Sequence, residues 1–195
     1  MNSQITQDPP VQTDNPTVKK EKSLLAELFE TIFLAVLIFV VINTITIRVT
    51  VINFSMRPTL DQGYYLLVNR LAYRFGEPKR GEIVIFHHNG DTTEDYIKRM
   101  IGLPGDRVVI TDGTVSVNGQ VFDEPYRAEQ GHANGEWVVP EDEYFVLGDN
   151  RNHSSDSKDW GFVKSDWLVG KALLVYWPFN QAKLLVTPNL VQTAN

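Results

Sequence analysis

The chain has 195 residues, 43% of them hydrophobic, a formal net charge of −6 and no cysteine. That length holds one anchor and one soluble domain, or a soluble domain of two joined lobes, and little more. Without cysteine there are no disulfides and no thiolate metal sites, and the acidic balance supplies no basic face for nucleic-acid phosphates, so nucleic acid is not expected as a partner.

Residues 1–22, MNSQITQDPPVQTDNPTVKKEK, are polar, carry three prolines and have no apolar period, so they read as a disordered tail. From Ser23 the character changes to SLLAELFETIFLAVLIFVVINTITI. Its uncharged part, Thr31 to Ile47, is 17 residues, near the lower limit for crossing a bilayer. The preceding turn, with Glu27 and Glu30 at the interface, extends it to a full span. The pattern therefore predicts one transmembrane helix over 23–47. A cleavable secretory signal would have a shorter apolar region and small residues after it, whereas NTITIRVTV follows here. Lys19, Lys20 and Lys22 precede the span and only Arg48 follows it closely, which places the amino terminus in the cytoplasm and the rest of the chain outside it.

Beyond Arg48 the helical period disappears. Short β-rich runs recur between turn signals: YYLLV, EIVIF, YIKRMIG, RVVITDG, TVSVNGQVF, YFVLG and ALLVYW. Such spacing predicts a mostly β fold, a sandwich or barrel rather than an α/β sheet. TDG and VNGQ are hairpin turns, and TVSVNGQVF reads as one compact hairpin. The stretch after Pro178 carries no pattern of its own.

Three stretches have the residue types that chemistry requires. In NFSMRPTL, Ser55 precedes a proline turn. A lone serine there is ordinarily a polar strand end bonded to nearby backbone, and as a nucleophile it needs a base from another segment, because no G-x-S-x-G elbow surrounds any serine. The second stretch, YIKRMIGLPGD, offers that base. As a strand it puts Tyr96, Lys98 and Met100 on one face and Ile97, Arg99 and Ile101 on the other. Pattern alone does not say which cation is buried, but guanidinium stays charged whereas an ammonium in an apolar setting gives up its proton, so Lys98 is the usable one. An exposed lysine is neutral only to about 0.4% at pH 8, and desolvation must lower its pKa by about two units, at a cost of about 3 kcal/mol.

The third stretch, LGDNRNHSSDSKDWGF, reads as a solvated loop. Ser155-Asp156-Ser157-Lys158 matches S-x-x-K, a spacing that works on a helix and not in a loop, and no K-T-G accompanies it. His87 and His88 point to opposite strand faces and make poor metal co-ligands. His153 with Asp149 or Asp156 is an alternative base for Ser55, in triad form.

The segments SMRPTL, YIKRMIGLPGD and GDNRNHSSDS, in this order after one amino-terminal anchor and with KRGEIVIF at Lys79 to Phe86 between them, closely resemble the bacterial type I signal peptidases (leader peptidases). The resemblance runs from the anchor to about Trp177. It implies a membrane-bound serine protease with a serine-lysine dyad that removes signal peptides from exported precursors, without metal or cofactor. It also implies a largely antiparallel β catalytic core with an inserted smaller β lobe. That places a peptidase domain at 48–180, the lobe at roughly 105–145 and a carboxy-terminal tail at 181–195. Carried over residue by residue, the nucleophile falls on Ser55 and the general base on Lys98. Ser154 resembles the hydroxyl that orients the amine, and Asp156 a supporting carboxylate whose usual arginine partner is replaced by Lys158. Asn53 stands where some members place a serine that, with the Ser55 N–H, holds the oxyanion, and its amide can donate the same bond.

The partners implied are signal-peptide-bearing precursors, with small side chains first and third before the cut, and membrane lipid. The location implied is the bacterial plasma membrane or an internal one, with a single pass. Ser55 lies eight residues beyond Ile47 and so at most about 29 Å from the end of the span. Two other readings compete. A self-cleaving repressor-type protease shares the serine-lysine logic, but the chain has no Ala-Gly bond to cut. An inactive, membrane-anchored β interaction module would not need both Ser55 and Lys98.

Overall fold

The structure is a computed structural model that describes residues 23–188 and 190. The tail expected over 1–22 lies outside the described residues. The first element, α1, runs Leu24–Ile45, 22 residues with none buried. At 1.5 Å per residue it is roughly 33 Å long, close to the thickness of a bilayer's hydrocarbon core. A helix this long and apolar, with none of its residues buried, fits a single-pass membrane anchor. It ends two residues short of the expected limit, because Thr46 and Ile47 open strand β1 (Thr46–Thr50). The β-branched run TITIRVTV favours an extended chain, and pairing with β2 (Tyr65–Asn69) fixes it, with Ile47 opposite Val68 and Val49 opposite Leu66.

The elements that follow are α2 (Ala72–Phe75), β3 (Ile83–His87), β4 (Asp95–Gly102), β5 (Arg107–Thr111), β6 (Thr114–Val117), β7 (Gln120–Val121), β8 (Gly135–Val138) and β9 (Glu143–Leu147). After these come α3 (Ser157–Trp160), β10 (Val163–Lys164), β11 (Leu168–Trp177) and β12 (Lys183–Leu184). Among the described residues, the larger sheet has the order β1-β2-β11-β3-β4-β9-β10, with β12 added to β11, and the smaller has the order β7-β6-β5-β8. All pairings are antiparallel.

The smaller sheet occupies 107–138, and β9 returns the chain to the larger one. Its hairpins turn through Asp112-Gly113 and Asn118-Gly119, all four residues at positive φ (45°, 75°, 53° and 82°), as two-residue hairpin loops require.

Strand β3 is buried on both faces, which explains the unbroken apolar run IVIF. Ile83 and Ile85 join Met56, Leu60, Leu66 and Val68, while Val84 and Phe86 join Met100 and Val146. A third cluster packs Val108, Ile110, Val115 and Val117 of the smaller sheet against Ile101, Phe145 and Leu147 of β4 and β9. These two strands therefore contribute to the cores of both sheets.

Residues 181–195, expected as a tail, contribute structure where they are described. Strand β11 outruns β3, whose pairing stops at Lys171, and β12 covers the open edge at Leu174 and Val175. Leu190 is buried in the smaller sheet's cluster, and its carbonyl accepts a hydrogen bond from Asp123 N.

Candidate active site

Ser55 follows β1 in a tight turn closed by Arg57 N to the Phe54 carbonyl and Leu60 N to the Met56 carbonyl. Met56 and Leu60 sink into the core and fix the turn from below, leaving Ser55 6% exposed. Strand β4 brings the lysine. Its register against β3 sets Lys98 opposite Val84 and Arg99 opposite Ile83. Both cations are buried, Lys98 to 3% exposure and Arg99 to 2%, because both faces of β4 are core. Their fates differ by partner.

Arg99 finds a carboxylate. Its Nε and Nη2 donate to Asp149 Oδ1 and Oδ2 at 2.8 and 2.6 Å, Nη1 donates to the Gly81 carbonyl, and the guanidinium lies 3.9 Å over the Tyr126 ring. Lys98 finds a hydroxyl: its Nζ donates to Ser55 Oγ at 2.9 Å. Burial, only partly opposed by the Asp156 charge, draws its pKa from 10.5 down to about 8. Serine and lysine, 43 positions apart in the chain, thus share one hydrogen bond on the floor of a cleft of about 470 Å³, with Phe54, Tyr96, Asn150 and His153 around them.

The loop after β9 forms one wall and is tied to the serine turn through backbone. Asn150 N donates to the Ser55 carbonyl and Asn150 Nδ2 to the Phe54 carbonyl. The loop is not wholly irregular: Asp156 caps α3 in a reciprocal capping box with Asp159. Ser155 therefore stands outside the helix, and S-x-x-K gains no helical geometry.

Asp156 is fully buried and accepts from Gly148 N. Its cationic partner is Lys158, 3.1 Å from Oδ1, which also lies 3.3 Å from Asp159 and donates to the Ser154 carbonyl. The ammonium acts as a point charge shared three ways, where a guanidinium would form a planar fork.

Two expected contacts are arranged differently. Asn53 turns its Oδ1, not its amide N–H, to Ser55 and accepts from both Ser55 N (3.3 Å) and Ser55 Oγ (2.9 Å). Both donors lie two residues ahead of it, and the carbonyl end of the amide satisfies both. Ser154 Oγ was expected to orient the lysine amine. It is buried, but among the described residues it has no hydrogen-bond partner. The triad alternative is not assembled either, since Asp149 is engaged by Arg99 and Thr59, and Asp156 by Gly148 and Lys158.

Three features of this wall had no visible signal in the sequence. Asn150 clamps the serine turn. Glu124, from the segment between β7 and β8, is buried and binds Arg151 through both guanidinium Nη atoms, with Arg127 and Tyr126 Oη also upon it. Gly148 sits where a Cβ would strike Ser154 Oγ and come within 2.5 Å of the Ser55 carbonyl. A backbone carbonyl cannot swing aside as a flexible side chain does, so Gly148→Ala must displace either the serine turn or the loop. The expected result is a loss of about 1–3 kcal/mol in stability and of about 10²-fold in kcat from misplacement of Ser55, read by thermal melting and peptide cleavage.

The arrangement suits acyl transfer: a buried hydroxyl beside an amine of lowered pKa, in an open cleft. Comparison with known proteins shows the family. The family described as "Signal peptidase, peptidase S26" matches residues 25–177. A signal peptidase I of Leptolyngbya laminosa is 37% identical over 95% of this chain and 96% of its own length. A probable signal peptidase I-2 of a Synechocystis strain is 41% identical over 82% of this chain and 76% of its own, and a signal peptidase IB of Staphylococcus aureus is 35% identical over 86% and 97%. These matches define the class as a hydrolase, a serine endopeptidase. This chain belongs to the signal peptidase family, peptidase S26.

Proposed function

We propose that the chain is a membrane-anchored endopeptidase that cleaves signal peptides from exported precursors at A-x-A sites, with Ser55 as nucleophile and Lys98 as general base. The observation that carries this reading is the 2.9 Å contact between Lys98 Nζ and Ser55 Oγ in a buried setting that draws the amine to a pKa of about 8. Neutral Lys98 takes the Ser55 proton as Oγ attacks the scissile carbonyl. The ammonium then returns the proton to the leaving amine, and water attacks the acyl-enzyme to release the signal peptide.

Asn53 has a gating part in this scheme. While its Oδ1 holds both Ser55 donors, the hydroxyl proton faces away from Lys98 and the Ser55 N–H is occupied. Turning the amide over frees the hydroxyl proton for Lys98 and presents Nδ2 and the Ser55 N–H together to the developing oxyanion. Helix α1 serves as the anchor, with the amino terminus in the cytoplasm and the peptidase domain outside it. Membrane tethering of enzyme and precursor raises the effective concentration of each for the other.

The test is cleavage of a precursor with an A-x-A site by the detergent-solubilised full chain and its Ser55→Ala variant, across pH. Wild type should cut once after the site, and the variant should yield no product. Below the Lys98 pKa the neutral fraction grows tenfold per pH unit, so kcat/KM should rise about fifty-fold from pH 6 to 8 and level off above pH 9. Equal product from both proteins, or a flat profile, rejects the dyad. Cleavage of the chain itself in place of the precursor would favour a self-cleaving protease.

A further inference from the structure

A second cavity, of about 500 Å³, opens on the large sheet away from the serine and lysine, between Ile47, α2 and the start of β11. Arg70, Arg74 and His87 line it, with Asp166 as the one carboxylate on its wall. The side chains of Arg70 and Arg74 are exposed and have no ion-pair partner among the described residues. The neighbouring carboxylate Glu82 does not neutralise them, being held by Lys171 Nζ at 2.7 Å and by Tyr73 Oη.

The depth of this cavity in a membrane follows from chain geometry. Arg70 N donates to the carbonyl of Ile45, the last residue of α1. A helix of this length leaves the hydrocarbon core at about its final residue, so the backbone of Arg70 lies at the level of the lipid headgroups. Phe75, next to Arg74 in the chain, is 86% exposed, an unfavourable placement in water and a suitable one at the membrane interface. The net charge of −6 gives the chain no general attraction to an anionic surface. A local pair of unpaired arginines is therefore a selective feature.

We propose that Arg70 and Arg74 bind the phosphate of an anionic phospholipid headgroup, with Phe75 entering the interface beside it. The bond is charge-assisted: guanidinium N–H groups donate to phosphate oxygens. The proposal rests on α1 spanning the bilayer, which alkaline carbonate extraction of membranes reports separately.

The test is native mass spectrometry of the detergent-solubilised full chain titrated with phosphatidylglycerol or phosphatidylcholine. Wild type should retain one phosphatidylglycerol about tenfold more readily than phosphatidylcholine. Arg70→Gln/Arg74→Gln should abolish that preference, while Arg70→Lys/Arg74→Lys keeps most of it. None of these changes should alter cleavage of a short soluble peptide, since neither residue lies in the catalytic cleft, and that cleavage also confirms that each variant is folded. Equal retention of the two lipids, or a preference that survives in the glutamine variant, overturns the proposal. Displacement of the lipid by millimolar inorganic phosphate overturns its assignment to a headgroup and makes the cavity a site for a free anion.

Discussion

Lys98→Met should lower kcat/KM for precursor cleavage by about 10³- to 10⁴-fold while the protein melts at a higher temperature than wild type at pH 7. On the proposed mechanism the kinetic loss is the contribution of a positioned general base, and methionine, of similar length and without a titrating group, leaves the packing in place. The gain in stability follows from the lowered pKa. In the folded protein the amine titrates near 8, against 10.5 when unperturbed. Between those values the unfolded chain binds more protons, so stability rises with pH across that window, and below pH 8 the fold carries the whole penalty of burying the ammonium, about 3 kcal/mol. Removing the amine relieves it. A variant that lost activity and melted lower would mean that Lys98 is a structural residue, and one that kept its activity would mean that the base lies elsewhere. Lys98→Arg should be equally inactive, because guanidinium does not deprotonate.

Asp149→Ala should be the most destabilising single change near the site, by about 3–5 kcal/mol, because it strands a buried guanidinium. Arg99 and Asp149 have side chains 3% and 0% exposed, and Thr59 Oγ1 also donates to the same carboxylate at 2.5 Å. For a domain of this size the shift in Tm is of order 10 °C. Activity should fall with it, since the next residue, Asn150, is the one that ties the loop to the Ser55 carbonyl. The double variant Arg99→Met/Asp149→Leu should recover most of the lost stability, because it removes both charges together, and a thermodynamic cycle of the four proteins measures the coupling. Additive losses in that cycle would show that the pair is not coupled.

The residues that sequence made legible are those whose chemistry is local. Helix α1 announces itself by composition, the Asp112-Gly113 and Asn118-Gly119 turns by residue type, and Ser55 and Lys98 by short motifs. What stayed hidden depends on neighbours far along the chain. The alternation of β4 separates Lys98 from Arg99 but does not show that both faces are buried, because that requires the smaller sheet to cover the Ile101 side. Asn53 was expected to donate, and which end of its amide faces Ser55 is decided by two donors competing for one acceptor. Glu124 and Arg151 lie 27 residues apart, and neither segment alone hints at the other. The role of the chain's end was equally invisible, since β12 exists only because β11 leaves an edge open.

Strand β4 places two basic residues back to back, one able to lose its proton and one unable to. Were the strand to pair with β3 one position out of step, either Arg99 would take the place of Lys98 beside Ser55, or Lys98 would move toward Asp149 and leave Ile97 beside the hydroxyl. On the proposed mechanism either molecule would be inert, because the hydroxyl would have a permanently protonated neighbour or an apolar one. On that mechanism an error in strand register silences the peptidase and does not loosen its selectivity.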